Sequence, residues 1–320
     1  MPLNGSGYHH RVDSAPTAAA TDAHAFLTVL GSATPLNKRF IQTAEGYDKR
    51  PGAEIVEAGA MVFAVPDTAA MARLMTEMLN RDNWVLMSGY FPGVDPGEFG
   101  VGRGEYFLVM SEARLSQSTG IPYGHADLRG WHEITYNGKR HRAIARLKAN
   151  ACASCWSLLD RDDDVPGMPE HLRGMSEYDW LAMMEAALPG FGEAPLIAVP
   201  SASARASYDG QIIAPGNAHY WTRFAEAGDV ERAMKAALFR GFTLDPPVSF
   251  LRERRSRKDR SVIVGRVPWA IWDPTTASRE RLSYDGMPTV EGARLGVLEA
   301  QARVLRDGPP IITSGWMMPE

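Results

Sequence analysis

The residues best suited to chemistry lie near the middle of the 320-residue chain, in the segment Cys155-Trp-Ser-Leu-Leu-Asp160-Arg-Asp162. Its apolar residues predict a buried strand that ends in two aspartates. Side chains alternate between the faces of a strand, so Asp160 and Asp162 point the same way with Cα atoms about 6.5 Å apart. Two carboxylates on one face repel each other. A divalent cation with oxygen ligands would relieve that repulsion.

Two ordinary explanations compete for this acidic run. Asp160 to Asp164 precedes Val165-Pro-Gly167, and Asp, Pro and Gly all favour a polar turn. A calcium loop of the EF-hand kind needs Gly at its sixth position and a carboxylate at its twelfth. Counted from Asp160, these positions hold Val165 and His171, so the calcium loop is excluded and the turn stays open.

Two further strand ends carry polar groups. His219 opens the apolar segment Asn217 to Phe224, and Asp273 follows Val267 to Trp272. Long stretches of chain separate both from Asp160, so only folding can bring them together. Three carboxylates and a histidine suit metal-assisted phosphoryl transfer, with the histidine and nearby arginines holding a triphosphate. Considered without the other residues, His219 is also compatible with an ordinary core or surface histidine, and Asp273-Pro274 is also compatible with an ordinary turn.

Other polar segments offer phosphate ligands. Ser201, Ser203 and Arg205 follow the predicted strand Leu196 to Val199, and either a phosphate-binding loop or a plain loop fits them. The basic run Arg252 to Arg260 precedes Asp273; within it we expect Arg255 and Arg257 to contact phosphate, although a solvated loop fits as well. A basic hairpin arm, Lys139 to Lys148, carries the same two interpretations.

The two cysteines, Cys152 and Cys155, are expected to be structural. Zinc would need two further ligands, and a redox Cys-x-x-Cys motif opens a helix, whereas this pair leads into a strand. Two cysteines in so long a chain also suit a reducing compartment.

Periodicity predicts alternating strands and helices. Met71, Leu74, Met75, Met78 and Leu79 form one helical stripe, which Asp67 caps. Asn137-Gly138 predicts a hairpin, and Ser176 with Asp179 predicts a capped helix start. Ala25 to Leu30 is expected to open a short helix, and Asp229 to cap another.

The expected fold class is α/β (α+β), because residues 151–285 run strand, helix, strand, strand, helix, strand, close to a ferredoxin/RRM-like sheet. We expect a flexible arm at 1–22, an N-terminal α/β module at 23–150, an RRM-like catalytic module at 151–290, and a C-terminal helix and tail at 291–320.

Composition and charge limit the classes of protein to which the chain can belong. With 45% hydrophobic residues the chain can bury a substantial core, and its formal charge of −4 gives no global basic field for nucleic acid. Residues 1–21 lack the apolar core of a signal peptide, and no uninterrupted apolar stretch approaches the length of a membrane span. The expectation is a soluble cytoplasmic protein.

Three motifs resemble those of the archaeo-eukaryotic primase (AEP) superfamily. Ser157-Leu-Leu-Asp160-Arg-Asp162 resembles its first motif, Asn217-Ala-His219 its second, and Trp269-Ala-Ile-Trp-Asp273 its third. The segment Ala145 to Asn150 and the pair Arg281-Leu282 are similar to primase-like replication proteins of plasmids and phages. The likeness covers residues 140–290; Asn217 stands where the second motif usually has Ser.

The resemblance implies a DNA primase or primase-polymerase. Asp160, Asp162 and Asp273 would hold Mg²⁺ or Mn²⁺, and His219 would contact the phosphates of the incoming nucleotide. The implied partners are single-stranded DNA template and nucleoside triphosphates, with a replicative helicase left open. A non-catalytic origin- or single-strand-binding replication module and a metal-dependent nuclease are the alternatives.

Overall fold

The computed structural model describes residues 25–99, 104–161, 165–256, 259, 261–314 and 316. Over these residues the protein is mixed α/β, with several sheets and few helices. The helices are α1 Thr68–Leu79, α2 Glu112–Thr119, α3 Glu177–Ala187 and α4 Val230–Gly241. Short 3-10 helices cover Ala126–Leu128, Lys148–Asn150, Glu170–Leu172, Ala227–Asp229 and Pro274–Ala277.

The strands follow one another throughout the chain. In order they are β1 Phe26–Gly31, β2 Arg39–Gln42, β3 Tyr47–Arg50, β4 Glu57–Ala64, β5 Trp84–Met87, β6 Gly89–Tyr90, β7 Gly97–Glu98, β8 Phe107–Met110, β9 Trp131–Tyr136, β10 Lys139–Ala145, β11 Cys152–Ala153, β12 Trp156–Asp160, β13 Leu196–Pro200, β14 Ala206–Tyr208, β15 Gln211–Ile212, β16 Ala218–Arg223, β17 Ser249–Arg255, β18 Ile263–Ala270, β19 Leu282–Ser283, β20 Thr289–Glu291, β21 Leu295–Val297 and β22 Arg303–Arg306.

The central sheet carries the acidic strand end. Its order is β12-β16-β13-β22, and every pairing in it is antiparallel. On the outer side of β12, Arg161 forms a β-bridge with Trp272, and the Asp273 amide donates to the Asp160 carbonyl at 2.8 Å. Helix α3 therefore lies between β12 and β13 and helix α4 after β16, as expected, but β14, β15 and β17 are additional strands, and only the bridge at Trp272 places the last segment beside β12.

A second sheet is built mainly from the N-terminal part. Its order is β19-β5-β1-β4-β8-β10-β9, with β7 pairing onto β4. The β9–β10 hairpin turns at Asn137-Gly138, where both residues have positive φ (49° and 74°), as the sequence predicted. One edge strand, β19, comes from the far end of the chain and pairs antiparallel with β5.

Helix α1 joins the two sheets. Its predicted stripe is fully buried, and it shares one core with Trp156, Ile197 and Trp221 of the central sheet. The helix begins as predicted, because the Asp67 carboxylate accepts from the Ala70 amide at 2.7 Å. Helices α3 and α4 belong to the core that includes Leu159 and Tyr220. The central sheet thus has helices over both faces.

The other cap predictions have different outcomes. Helix α3 begins at Ser176, whose Oγ accepts from the Asp179 amide at 3.1 Å, as expected. Asp229 stands at the N-terminus of α4, but its side chain forms no capping bond there. Instead its carboxylate binds Arg232 and the Thr313 hydroxyl, because the C-terminal segment passes close to this helix end.

Two predicted helices are wrong. Ala25 to Leu30 is strand β1, because Thr28 and Val29 are β-branched and the segment lies between β4 and β5 in the sheet. In place of a helix after residue 291, the described residues form β21 and β22. These pair with β14 and β13 and so complete sheets begun earlier in the chain.

Neither cysteine of the chain is in a disulfide, and Cys155 is buried in the core around α1.

Among the helices of the described residues, none combines the length and apolarity needed to cross a bilayer.

The packing of α1 predicts a large stability loss in Leu74→Ala. Leu74 is completely buried, so its truncation should lower the free energy of unfolding by about 2–5 kcal/mol through lost contacts and a cavity. Urea denaturation followed by circular dichroism measures the loss. Arg73→Ala, on the exposed side of the same helix, is the matched control and should change stability little. Equal losses in the two variants would contradict the interpretation.

Candidate functional site

Three of the predicted site residues meet at one edge of the central sheet. Asp160 lies directly opposite His219 in the β12–β16 register, and His219 Nε2 is 3.2 Å from Asp160 Oδ1. Asp273 is bound to the backbone of Asp160 through its amide. Antiparallel pairing brings the end of β12 to the start of β16, so these distant positions become neighbours.

A fourth residue, Asp285, completes this group. His219 Nδ1 is hydrogen-bonded to Asp285 Oδ1, and the Ser283 hydroxyl donates to Asp285 Oδ2 at 2.5 Å. The Asp285 side chain is completely buried. Ser283 belongs to β19, so the second partner of His219 comes from the N-terminal sheet. We call Asp160, His219, Asp285 and Ser283 the histidine network.

Asp285 has little signal in the sequence. It precedes Gly286 and looks like an ordinary turn residue. Its place is fixed by Asn37, whose Oδ1 accepts from the Gly286 amide at 3.1 Å and whose Nδ2 donates to the Asp82 carbonyl at 2.9 Å. A Cβ on Gly286 would lie 2.2 Å from Asn37 Nδ2, so only glycine fits here without displacement.

The two aspartates keep His219 charged. Burial by itself would lower the pKa of the imidazole, but Asp160 and Asp285 outweigh it and raise that pKa to about 10. Burial would raise the pKa of Asp160, whereas His219, Lys38 and Arg281 lower it, and the lowering prevails. At neutral pH the network therefore contains an imidazolium between two carboxylates.

A cleft of about 480 Å³ opens beside Asp160 and His219. Three cationic side chains line it, Lys38, Arg146 and Arg281, together with the acidic Glu54. Tyr284 lines it too, and its hydroxyl donates to the Ala53 carbonyl at 3.1 Å. Lys38 and Arg146 come from the N-terminal part, whereas Arg281 follows the 3-10 helix after Asp273. Such a surface suits a ligand with several negative charges.

Asp273 makes contacts of its own. Its Oδ1 accepts from the Thr275 amide at 2.8 Å and from the Thr275 hydroxyl at 2.7 Å, so it caps the 3-10 helix that follows. Its Oδ2 lies 3.5 Å from Arg281 Nη2. Asp273 therefore caps a turn, as the turn interpretation predicts, and also lies beside the end of β12.

The acids fit a divalent metal in part. Hard cations prefer carboxylate oxygens, and Asp160, whose side chain is 32% exposed, lines the cleft next to the backbone of Asp273. Among the described residues, no group of three His, Cys, Asp or Glu side chains has the geometry of a metal site. Asp162, the third predicted ligand, lies outside the described residues.

The predicted phosphate ligands are not brought to this cleft. Ser201, Ser203 and Arg205 are buried and are not among its lining residues. The Arg205 guanidinium donates to the Leu79 carbonyl at 2.6 Å and to the Leu298 carbonyl at 3.3 Å, which ties α1 to the C-terminal segment. Arg255 lies in β17, where its Nη2 donates to Glu253 at 3.1 Å. Arg257 is outside the described residues.

Comparison with known proteins identifies no relative of this chain. No family model matches the chain, and neither does any curated protein or solved structure. What the site does is therefore inferred from its own residues.

The charged histidine predicts a pH-dependent stability. A folded pKa raised from 6.5 to about 10 makes the contribution of His219 complete below pH 6.5 and progressively lost as pH rises through 10. His219→Gln should therefore destabilise the protein by about 3 kcal/mol at the acidic end, because it leaves Asp285 without its charged partner. The penalty should shrink as the pH approaches 10. Urea denaturation of both proteins across this range measures it.

A matched control is His171→Gln, since His171 is exposed in the 3-10 helix Glu170–Leu172 and its Nε2 is hydrogen-bonded to the Pro247 carbonyl at 3.0 Å. It should change stability little at every pH. A His219→Gln penalty that is the same at both ends of the range would contradict a raised pKa.

Proposed function

We propose that this protein is a template-directed nucleotidyltransferase, a DNA primase or primase-polymerase of the AEP type that acts in plasmid or phage replication. One observation carries the proposal: Asp160 and His219, distant in sequence, line a cleft with three cationic side chains, and the backbone of Asp273 is hydrogen-bonded to that of Asp160. That arrangement is what metal-assisted transfer of a phosphoryl group requires of a protein.

The strand order supports the same proposal. The segment at Trp272-Asp273 is joined to β12 by an isolated bridge, and β16, β13 and β22 follow on the other side of β12. If this segment is counted as the fourth position and β22 as an addition, the spatial order around α3 and α4 is 4-1-3-2. This is the order of a ferredoxin/RRM-like sheet, the fold that the primase resemblance implies for the catalytic half. In such a sheet the first, third and fourth strands place their ends side by side.

The cleft residues would bind the triphosphate. Lys38, Arg146 and Arg281 provide three positive charges around about 480 Å³, and guanidinium groups bind phosphate oxygens with two parallel hydrogen bonds. Tyr284 would add an aromatic wall for the sugar or base. With His219, these residues take the place of the nucleotide contacts expected at Ser201, Ser203, Arg205 and Arg255, which lie away from the cleft.

Mg²⁺ or Mn²⁺, held by Asp160, Asp162 and Asp273, would neutralise charge on the transferred phosphate. The protein's own part is to hold the nucleotide in line with the attacking hydroxyl and to stabilise the released pyrophosphate. His219 remains charged because Asp160 and Asp285 both raise its pKa, and its Nε2, 3.2 Å from Asp160 Oδ1, lies at the edge of the cleft. Single-stranded DNA would supply the template, and a replicative helicase would be a further partner in the cytoplasm.

A second function has specific support. The Asp273 carboxylate caps a turn, and both ring nitrogens of His219 are already hydrogen-bonded or ion-paired within the network. These contacts would equally suit a non-catalytic replication module that binds an origin or single-stranded DNA. In that case the acids would stabilise the fold and perform no chemistry.

Asp160→Asn distinguishes the two functions. If the protein is a polymerase, primer synthesis from nucleoside triphosphates on single-stranded template with Mn²⁺ should fall at least about a hundredfold, because a charged group at the reacting phosphate is lost. Glu170→Gln, a highly exposed acid on a separate turn, is the matched control and should leave synthesis unchanged. Gel analysis of labelled products measures both.

Three results would contradict the polymerase. Primer synthesis that survives in Asp160→Asn would remove Asp160 from the chemistry. DNA binding by the wild-type protein with no synthesis under any metal would favour the binding module. Shortening of labelled DNA in the absence of nucleotides would indicate a nuclease.

A further inference from the structure

Strands β17 and β18 form a two-stranded ribbon that belongs to neither large sheet. Seven cross-strand pairs, from Ser249–Ala270 to Arg255–Ile263, hold it together. Its base is anchored, because Phe250 and Trp269 are buried in the core around α3 and α4. Beyond that base, most of the residues described in the ribbon are exposed.

The ribbon is strongly basic within an acidic chain. Residues 252–266 contain seven Lys or Arg against two acids, whereas the whole chain carries −4. The described cations of this group are Arg252, Arg254, Arg255 and Arg266. A positive arm on a negative protein concentrates the local field at one place and favours a polyanionic partner there.

The arginines occupy both faces of the ribbon. Cross-strand partners share a face, so Arg252 and Arg254 lie with Val267 and Gly265 on one face, and Arg266 lies opposite Glu253 on the other. The Arg252 guanidinium is 4.2 Å from the centre of the Trp269 ring, which ties it to the anchored base. The charge is therefore displayed on an ordered backbone with arginines on each side.

The ribbon adjoins the candidate site. Strand β18 continues within three residues into Asp273, and on the other side the turn after the acidic run contacts β17. A Cβ on Gly167 would lie 3.3 Å from the Leu251 carbonyl, so the two backbones approach closely. A polyanion bound along the ribbon would thus lie next to the strand ends that carry Asp160 and Asp273.

The shape and composition of the ribbon indicate which kind of nucleic acid it would bind. The major groove of B-form DNA admits a two-stranded ribbon, whereas that of an A-form RNA helix is too narrow for side chains to enter. Proteins that bind single strands stack bases on aromatic side chains, and residues 251–268 contain none. Arginines on both faces would reach the phosphates on both sides of a groove.

We propose that the β17–β18 ribbon is a binding arm for double-stranded DNA, with arginines that contact the phosphate backbone. This goes beyond the proposed function, because it concerns a duplex next to the site and does not depend on catalysis. It predicts sequence-independent binding that weakens steeply with salt.

The experiment compares two charge-matched variants of the full chain. One is Arg254→Gln/Arg255→Gln/Arg266→Gln in the ribbon. The other is Arg73→Gln/Arg129→Gln/Lys235→Gln, three exposed cations on other elements. Fluorescence anisotropy with a labelled 20-base-pair DNA duplex, in EDTA and without nucleotides, measures affinity over a range of salt concentrations. Circular dichroism and thermal melting check that both variants fold.

The ribbon variant should bind duplex at least about tenfold more weakly than the control variant. Its slope of log K against log salt should fall by about 0.9 for each phosphate contact removed. Equal affinities of the two variants for the duplex would overturn the proposal, and so would an equal or larger loss of affinity by the ribbon variant, relative to the control variant, for single-stranded DNA or duplex RNA of the same length. Since no chemistry is measured, this outcome is independent of whether the protein is a polymerase.

Discussion

The imidazolium of His219, held between Asp160 and Asp285, is the interaction on which the site depends. A buried charge is costly unless it is paired and hydrogen-bonded, and here each ring nitrogen has a carboxylate partner while Ser283 binds the far oxygen of Asp285. The pairing fixes the ring, keeps it charged at neutral pH and joins two sheets through one side chain. Removing His219 would leave the buried Asp285 without its charged partner.

The same connection explains why the cleft belongs to neither half of the chain. Strand β19 leaves the region of Asp273 and pairs with β5 of the N-terminal sheet, which brings Arg281, Tyr284 and Asp285 to the site. Lys38 comes from the N-terminal part and follows Asn37 in the chain. The Asn37 side chain is hydrogen-bonded to the Gly286 amide and to the Asp82 carbonyl. Helix α1 packs between the halves, in one core with strands of both sheets.

Charge is distributed unevenly in this acidic protein. The acids gather at the strand ends, three cations line the cleft beside them, and the β17–β18 ribbon concentrates a further group of arginines. A nucleotide and a DNA backbone are both polyanions, and the two basic surfaces adjoin the same acidic edge. The arrangement would allow both ligands to approach carboxylates that would otherwise repel them.

Apolar runs and turn residues act locally, and they were enough to predict that Asp160 and His219 stand at strand ends and that α1 presents one buried stripe. Asp273 was expected to end a strand, but β18 stops at Ala270 and Asp273 caps a 3-10 helix. Local signals could not determine Asp285, Lys38 or Arg281, because their place depends on the pairing of β19 with β5 and on Asn37, both of which join residues far apart in the chain. For the same reason the helix expected at Ala25 to Leu30 is a strand. The periodicity of a short apolar run does not distinguish a helix from a strand, and here pairing with β4 and β5 makes the segment a strand. The tertiary structure alone buried Arg205 against carbonyl groups and gave His219 its second carboxylate, since burial and partners are properties of the assembled sheets.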